Sequence, residues 1–87
     1  MGQKLKQDEI IMLGQNIREL RLKKKIKQEE MVARLQVRGI SISRTGYTKI
    51  ELGRRHVETS CLEAIRDILG TTYERLMAHT GDSEPKE

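Results

Sequence analysis

Apolar residues recur along most of the chain at spacings of three and four, which is the repeat of an amphipathic helix. The first stripe consists of Ile10, Leu13, Ile17 and Leu20. It predicts a helix that follows an N-cap at Asp8 and runs to about Lys25. Gly14 lies inside this helix and weakens it by roughly 1 kcal/mol relative to Ala. A glycine at such a place indicates close packing against another backbone.

A shorter stripe predicts a second helix from Gln28 to about Arg38. Its inward face consists of Met31, Val32 and Leu35. The two glutamates at positions 29 and 30 favour its N-terminal end through the helix dipole. Gly39 is expected to end the helix, because glycine readily takes the positive φ of a C-terminal cap.

The segment Gln36–Ile42 is predicted to connect the second helix to the third. Within it, Ile40 and Ile42 alternate with a serine. Alternation is also typical of a strand, but the rest of the sequence offers no partner strand. We therefore expect both isoleucines to fold the connection back onto the core.

A third helix is predicted from Arg44 to about Leu52, with Ser43 as its N-cap. Tyr47 and Ile50 have the spacing of an inward face. The outer face carries small polar and basic residues, namely Arg44, Thr45, Thr48 and Lys49. Gly53 is expected to close this helix, and two arginines follow it directly.

A fourth helix is predicted to start at Thr59 or Ser60 and to end at Gly70. Ser60 and Glu63 have the spacing of a capping box. The apolar stripe of this helix consists of Leu62, Ile65, Ile68 and Leu69.

A fifth helix is predicted to open with a second capping box, formed by Thr71 and Glu74, and to run to about His79. The predicted all-α domain then covers residues 8–79. The polar segments 1–7 and 80–87 are expected to be a flexible arm and a flexible tail.

Size and composition narrow the possible functions. A chain of 87 residues has room for one domain. Its single cysteine allows no internal disulfide. The sequence shows neither a secretory signal nor a membrane span, so we expect a cytoplasmic protein. The absence of Phe and Trp disfavours a stacking platform for single-stranded nucleic acid. The net charge of +4 permits a partner that carries phosphates.

The outer face of the third helix carries side chains suited to reading base edges. Arg44 can give two hydrogen bonds to a guanine, Lys49 can donate to the same atoms, and Thr45 can meet a thymine methyl. Residues one turn apart share a face. Gly46 lacks a side chain and would let the phosphate backbone or the second helix approach. An ordinary solvated face is the alternative interpretation of these residues taken alone.

No catalytic constellation is evident, so we expect no enzyme, no cofactor and no metal site. His56, Cys61 and His79 match no zinc-binding spacing. Cys61 is expected to be a small buried residue instead.

Three short motifs occur in a fixed order: Leu-Arg ending at Arg21, Gln-Glu-Glu from Gln28, and Ile-Glu-Leu-Gly-Arg from Ile50. This order resembles the Cro/C1-type helix-turn-helix of phage repressors and small bacterial regulators, the xenobiotic-response-element family. The resemblance extends from about Ile10 to Met77. It implies a compact five-helix, repressor-like domain whose second and third helices form the helix-turn-helix, with a turn longer than is usual in the family.

The resemblance implies contact with double-stranded DNA, with the third helix in the major groove. The matching positions are Gln28, Ser43, Arg44, Thr45, Thr48, Lys49, Arg54 and Arg55. Among them, Arg44, Thr45 and Lys49 match positions that reach base edges, and Gln28 also braces the third helix. The family further pairs the arginine that ends the first helix with the glutamate of the third, here Arg21 with Glu51.

We therefore expect a transcriptional regulator, a repressor, that binds a pseudo-palindromic operator as a homodimer. The fifth helix, the end of the fourth and the tail are the expected self-association surface. The alternative is a protein-binding module that grips an antirepressor or an antitoxin-like partner, with an acidic surface at Glu58, Glu63 and Asp67. A non-specific nucleic-acid coat, with steep salt dependence and no preferred site, is a third possibility.

Overall fold

The computed structural model describes residues 7–78, and this part of the chain holds five α-helices and no strand. The helices are α1 (Gln7–Lys23), α2 (Gln28–Val37), α3 (Arg44–Glu51), α4 (Thr59–Leu69) and α5 (Tyr73–Leu76). The predicted all-α, five-helix fold is therefore confirmed. The predicted tail at 80–87, residues 1–6 of the predicted arm and His79 lie outside the described residues.

The ends of α1 differ from those predicted. Asp8 lies inside the first turn of the helix, where a negative charge favours the dipole, and it is not the N-cap. The helix ends at Lys23, and Lys25 then takes a positive φ of 59°. This reversal brings Ile26 into the core, and its amide donates to the Arg21 carbonyl at 3.1 Å.

The connection between α2 and α3 covers residues 38–43, so Gln36 belongs to α2 and not to the turn. Gly39 follows the helix with a positive φ of 88°, as predicted. Ile42 is buried in the core and Ile40 is half-buried against it, which confirms that the connection folds inward. The Gln36 amide donates to the Ile42 carbonyl at 2.9 Å and so ties the two ends of the connection together.

Helix α4 begins at Thr59, one of the two predicted starts, but the predicted capping box is wrong. The N-cap is Glu58, which makes no side-chain capping bond, and Ser60 with Glu63 lie inside the helix. Because a capping box requires its hydroxyl at the N-cap position, these two residues cannot form one. Gly70 ends the helix with a positive φ of 62°, as predicted.

The last helix is displaced and shorter than predicted. Its N-cap is Thr72, one residue after the predicted Thr71, and the Thr72 hydroxyl accepts from the Arg75 amide at 3.1 Å. It ends at Leu76. The buried amide of Asn16 in α1 donates to the carbonyls of Leu76 and Ala78 at 2.6 and 2.8 Å. These bonds satisfy carbonyls that a longer helix would have paired internally.

The core consists mostly of aliphatic side chains from all five helices, together with Tyr47 and with Ile26 and Ile42 from the connections. Its most deeply buried members are Leu13, Ile17, Met31, Leu35, Tyr47, Ile50, Ile65, Leu69 and Leu76. Burying one such side chain stabilises the fold by about 1.5–3 kcal/mol relative to leaving it exposed.

Gly14 is the point at which α1 meets α3. A Cβ atom at Gly14 would lie 2.6 Å from the carbonyl oxygen of Glu51 and would also collide with the carbonyl of Ile50. The predicted close approach of two backbones is thus confirmed. It fixes α3, the predicted recognition helix, against the longest helix of the domain.

Candidate nucleic-acid interface

The two faces of α3 are sharply divided between core and solvent. Tyr47, Ile50 and Glu51 are buried, whereas Arg44, Thr45 and Lys49 are exposed. Ser43 takes the N-cap position that the sequence predicted, and its hydroxyl accepts from the Gly46 amide at 3.1 Å. The helix therefore begins at Arg44, which places the guanidinium and the Thr45 hydroxyl in its first turn and Lys49 one turn later.

Arg21 and Glu51 form a buried, bidentate ion pair. The Arg21 Nε and Nη2 atoms donate to the two Glu51 carboxylate oxygens at 2.6 and 3.1 Å. The third guanidinium nitrogen, Nη1, donates to the Ile26 carbonyl at 2.7 Å. The side chains of the pair are only 7% and 2% exposed. This geometry fixes α3 to α1 and to the α1–α2 loop through one guanidinium.

The environment of this pair favours its charged form. Burial by itself would raise the pKa of Glu51, but the hydrogen bonds from Arg21 and Gln28 and the nearby Tyr47 hydroxyl bring the net pKa below its ordinary value. The hydrogen bond to Glu51 raises the pKa of Arg21. Burial, and then the Glu51 carboxylate, raises the pKa of Tyr47. The Tyr47 hydroxyl has no partner in hydrogen-bonding geometry among residues 7–78.

Gln28 links the ion pair to the polar edge of α3. Its Nε2 atom donates to Glu51 Oε1 at 2.9 Å, and its Oε1 atom accepts from the Thr48 hydroxyl at 3.1 Å. Gln28 and Thr48, two of the residues predicted to contact DNA, thus lie side by side and are bonded to each other. Both are half-buried, so the brace implied for Gln28 is a visible contact between α2 and α3.

Arg44 lies near an acidic residue that the site prediction did not include. Its Nη1 atom is 3.7 Å from Glu29 Oε1, and the two side chains are 63% and 71% exposed. Glu29 is the second residue of α2, where an acidic group was expected only to favour the helix dipole. The sequence could have indicated this place for Glu29, because Glu29 follows Gln28, which was predicted to brace the third helix.

Gly46 makes room for Arg55, and not for α2. A Cβ atom at Gly46 would collide with Arg55 Nη1 and would lie 3.4 Å from the Ile42 side chain. The guanidinium of Arg55, which follows α3 in sequence, therefore folds back over the first turn of that helix. Of the eight predicted DNA-contacting residues, Ser43, Arg44, Thr45 and Arg55 meet at this end of α3.

Arg54 lies at the other end of α3, because its amide donates to the Lys49 carbonyl at 2.9 Å. Its side chain is exposed. Basic groups thus lie at both ends of α3. Arg44 and the guanidinium of Arg55 lie at its start, Lys49 lies in its last turn, and Arg54 lies beyond its end.

The acidic surface that a protein-binding module would use is partly neutralised. Asp67 lies 2.9 Å from Arg66 and 3.5 Å from Arg38, while Glu58 and Glu63 are exposed.

Cys61 is buried, and burial raises the pKa of its thiol. Residues 7–78 contain no group of three or more potential metal ligands. None of the described helices has the length and apolarity needed to cross a membrane.

A family model for a helix-turn-helix domain matches residues 14–82, which is most of the chain. Comparisons with curated proteins and with solved structures gave no match. The matched segment contains α2, the connection at 38–43 and α3, together with the part of α1 that carries Gly14 and Arg21. Such domains are typical of DNA-binding regulators. The chain belongs to the helix-turn-helix domain family.

Proposed function

We propose that this protein is a sequence-specific regulator of transcription that binds double-stranded DNA and acts as a Cro/C1-type repressor. The observation that carries the proposal is the division of α3. One face is fixed by a buried ion pair and by Tyr47 and Ile50, and the other presents Arg44, Thr45 and Lys49 to solvent. A helix held firmly on one side and polar on the other suits the major groove.

In this proposal the residues of the interface have two tasks. Arg44, Thr45 and Lys49 read base edges, because their donors project from the first and last turns of one face. Gln28, Ser43, Thr48, Arg54 and Arg55 contact the sugar-phosphate backbone or lie beside it. Contacts of this second kind set the position of α3 on the duplex but carry no direct sequence information.

The alternative of a protein-binding module of the same fold has less support from the described residues. Its acidic surface would include Asp67, which is already flanked by Arg38 and Arg66. The exposed side chains of α3, by contrast, are basic or small and polar, as a nucleic-acid partner requires.

The direct test is selection of binding sites from random duplex DNA with the intact chain. We expect enrichment of one pseudo-palindromic sequence with half-sites about one helical turn apart, since the proposed regulator binds as a homodimer. Failure to enrich any sequence, with the protein folded, would refute the proposal.

The selected duplex then allows base readout to be separated from backbone contact. Arg54→Ala should weaken binding to the selected duplex and to scrambled duplexes alike, and should reduce the slope of log K against log salt by about 0.9. Affinity measured at several salt concentrations gives both quantities. Equal affinity of the wild type for the selected and the scrambled duplexes, with a steep salt dependence, would indicate a non-specific coat.

A further inference from the structure

A groove between α2 and α4 lies apart from the proposed DNA interface. Its volume is about 490 Å³, and its apolar lining comes from Ala33, Val37 and Ile68. Val37 is 88% exposed, more than any other large hydrophobic residue in the described part of the chain. Val37 and the apolar part of the groove thus lie side by side at the surface, where a protein partner could cover both.

The charges at the edges of this groove cancel. Glu30 pairs with Arg34 at 2.7 Å, and Arg38 pairs with Asp67 at 3.5 Å. The groove is therefore locally neutral, whereas the whole chain carries a net charge of +4. A phosphate backbone would gain little from such a surface. The same groove of a second copy would meet this surface without net repulsion. Each copy would then offer both acidic and basic side chains to the other.

The groove remains accessible when α3 is engaged. On α2, Gln28 and Glu29 make the contacts with α3, through Thr48 and Arg44. Arg38 makes its contact with α4, through Asp67. The α3 contacts and the groove thus lie on different flanks of α2, so DNA in contact with α3 does not compete for the groove.

Helix α5, in contrast, has little apolar surface to offer a partner. Leu76 is fully buried and Met77 is partly buried against the core. Tyr73 is 37% exposed, and Arg66 lies over its ring at 4.6 Å from the centroid. Of the two helices expected from the sequence to mediate self-association, α4 contributes to this groove, because Ile68 lines it.

We propose that a second copy of this chain occupies the groove, with the two α2 helices antiparallel about a two-fold axis. A two-fold interface brings the same patch of both copies together. Val37 of each copy then packs against Ala33 of the other, so that a projecting side chain meets a small one. The same arrangement brings Arg38 of one copy towards Glu30 of the other. The inference deepens the proposed function, on which it rests, by naming the surface that joins two DNA-bound copies.

The first test replaces Val37. Sedimentation equilibrium of the full chain, alone and on the selected duplex, should show two copies per palindrome for the wild type. Val37→Glu should weaken self-association by roughly tenfold or more, because it buries an unpaired carboxylate in the interface. Leu22→Glu is the matched control: Leu22 is also an exposed apolar residue, at 47%, but it does not line the groove.

Two outcomes would overturn the proposal. One is a wild type that stays monomeric both alone and on its selected duplex. The other is a Val37→Glu protein that associates as strongly as the wild type. Binding of Val37→Glu to a single half-site should equal that of the wild type, so loss of dimerisation is distinguishable from loss of DNA recognition. If no DNA sequence is selected at all, the proposed function fails, while association without DNA still tests the groove.

The second test uses charge reversal, which a folding defect cannot imitate. Glu30→Arg and Arg38→Glu should each weaken self-association when studied alone, since each places like charges opposite one another. An equimolar mixture of the two variants should regain association, because each arginine then faces a glutamate of the other copy. If both variants have the thermal stability of the wild type but their mixture does not associate more strongly than either alone, the antiparallel contact is wrong.

Discussion

Two arginine–glutamate pairs of this domain differ in their exposure to solvent. Arg21 and Glu51 share two hydrogen bonds and are almost completely buried. Arg44 and Glu29 approach to 3.7 Å and are more exposed than buried. One pair fixes α3 in place, while the other lies at the start of the same helix with its guanidinium exposed to solvent. The same two residue types therefore anchor a helix in one place and leave a basic side chain at the surface in the other. The difference between the two pairs is their burial.

The physical reason is the solvent around each pair. Water screens an exposed pair and solvates each partner after separation, so such a pair contributes about 0–1 kcal/mol. A buried charge that loses its partner cannot be solvated, so breaking a buried pair costs roughly 3–5 kcal/mol. The two pairs should thus respond very differently to the same substitution.

The largest effect is expected for Arg21→Ala. It leaves the Glu51 carboxylate buried with Gln28 as its remaining hydrogen-bond donor, and it also removes the bond to the Ile26 carbonyl. We expect a loss of about 3–5 kcal/mol in the free energy of unfolding. Urea denaturation followed by circular dichroism measures it.

Arg21→Lys and Arg44→Ala are the controls for this experiment. Lysine keeps the charge but cannot give the planar, bidentate contact, so an intermediate loss is expected. Arg44→Ala removes an exposed guanidinium and should change unfolding by less than about 0.5 kcal/mol. An Arg21→Ala protein that unfolds like the wild type would disprove the anchoring role.

Acid should weaken the buried pair of Arg21 and Glu51. The folded-state pKa of Glu51 lies below its ordinary value of 4.5, so the charged pair contributes stability that is fully present above that pH. The contribution is lost as pH falls through the folded-state pKa, because the carboxylate then becomes protonated. Unfolding free energies measured between pH 7 and pH 3 should show a steeper decline in the wild type than in Glu51→Gln. Parallel curves for the two proteins would contradict this prediction.

The parts of the structure that the sequence predicted well depend on local signals. The N-cap at Ser43, the inward direction of Tyr47 and Ile50, and the positive φ of Gly39 all follow from residues within one turn. The contact between Arg21 and Glu51 spans thirty positions, but it was inferred through the resemblance to a known family. A single sequence otherwise carries no direct record of which distant residues meet.

The features that the sequence missed depend on contacts between distant segments. Asn16 bonds to Leu76 and Ala78, about sixty positions away, and the end of α5 reflects those bonds. The position of Arg55 over Gly46 depends on how the chain turns after α3. The capping box at Ser60 had the right spacing, but α4 begins one residue earlier. Tertiary contacts, and not local preference, set the first two of these features.

Arg44→Ala should lower affinity for the selected duplex by about 1–3 kcal/mol, because it removes the proposed bidentate contact with a base. Base preference should relax at one position in each half-site, while affinity for scrambled duplexes should change much less. Competition binding with single-base variants of the selected duplex measures both effects. Loss of affinity without any relaxation of base preference would assign Arg44 to the phosphate backbone instead.

The smallest effect is expected at the exposed pair itself. A double-mutant cycle with Glu29→Gln and Arg44→Ala should give a coupling of about 0.2–1 kcal/mol in unfolding, far below that of the buried pair. Glu29→Gln should also tighten binding to every duplex slightly, since it removes a negative charge beside the proposed phosphate contacts. Glu74→Gln is the control, because Glu74 is also an exposed glutamate but lies on α5 and not beside α3. A coupling as large as that between Arg21 and Glu51 would mean that solvent exposure does not explain how much each pair contributes to the free energy of unfolding.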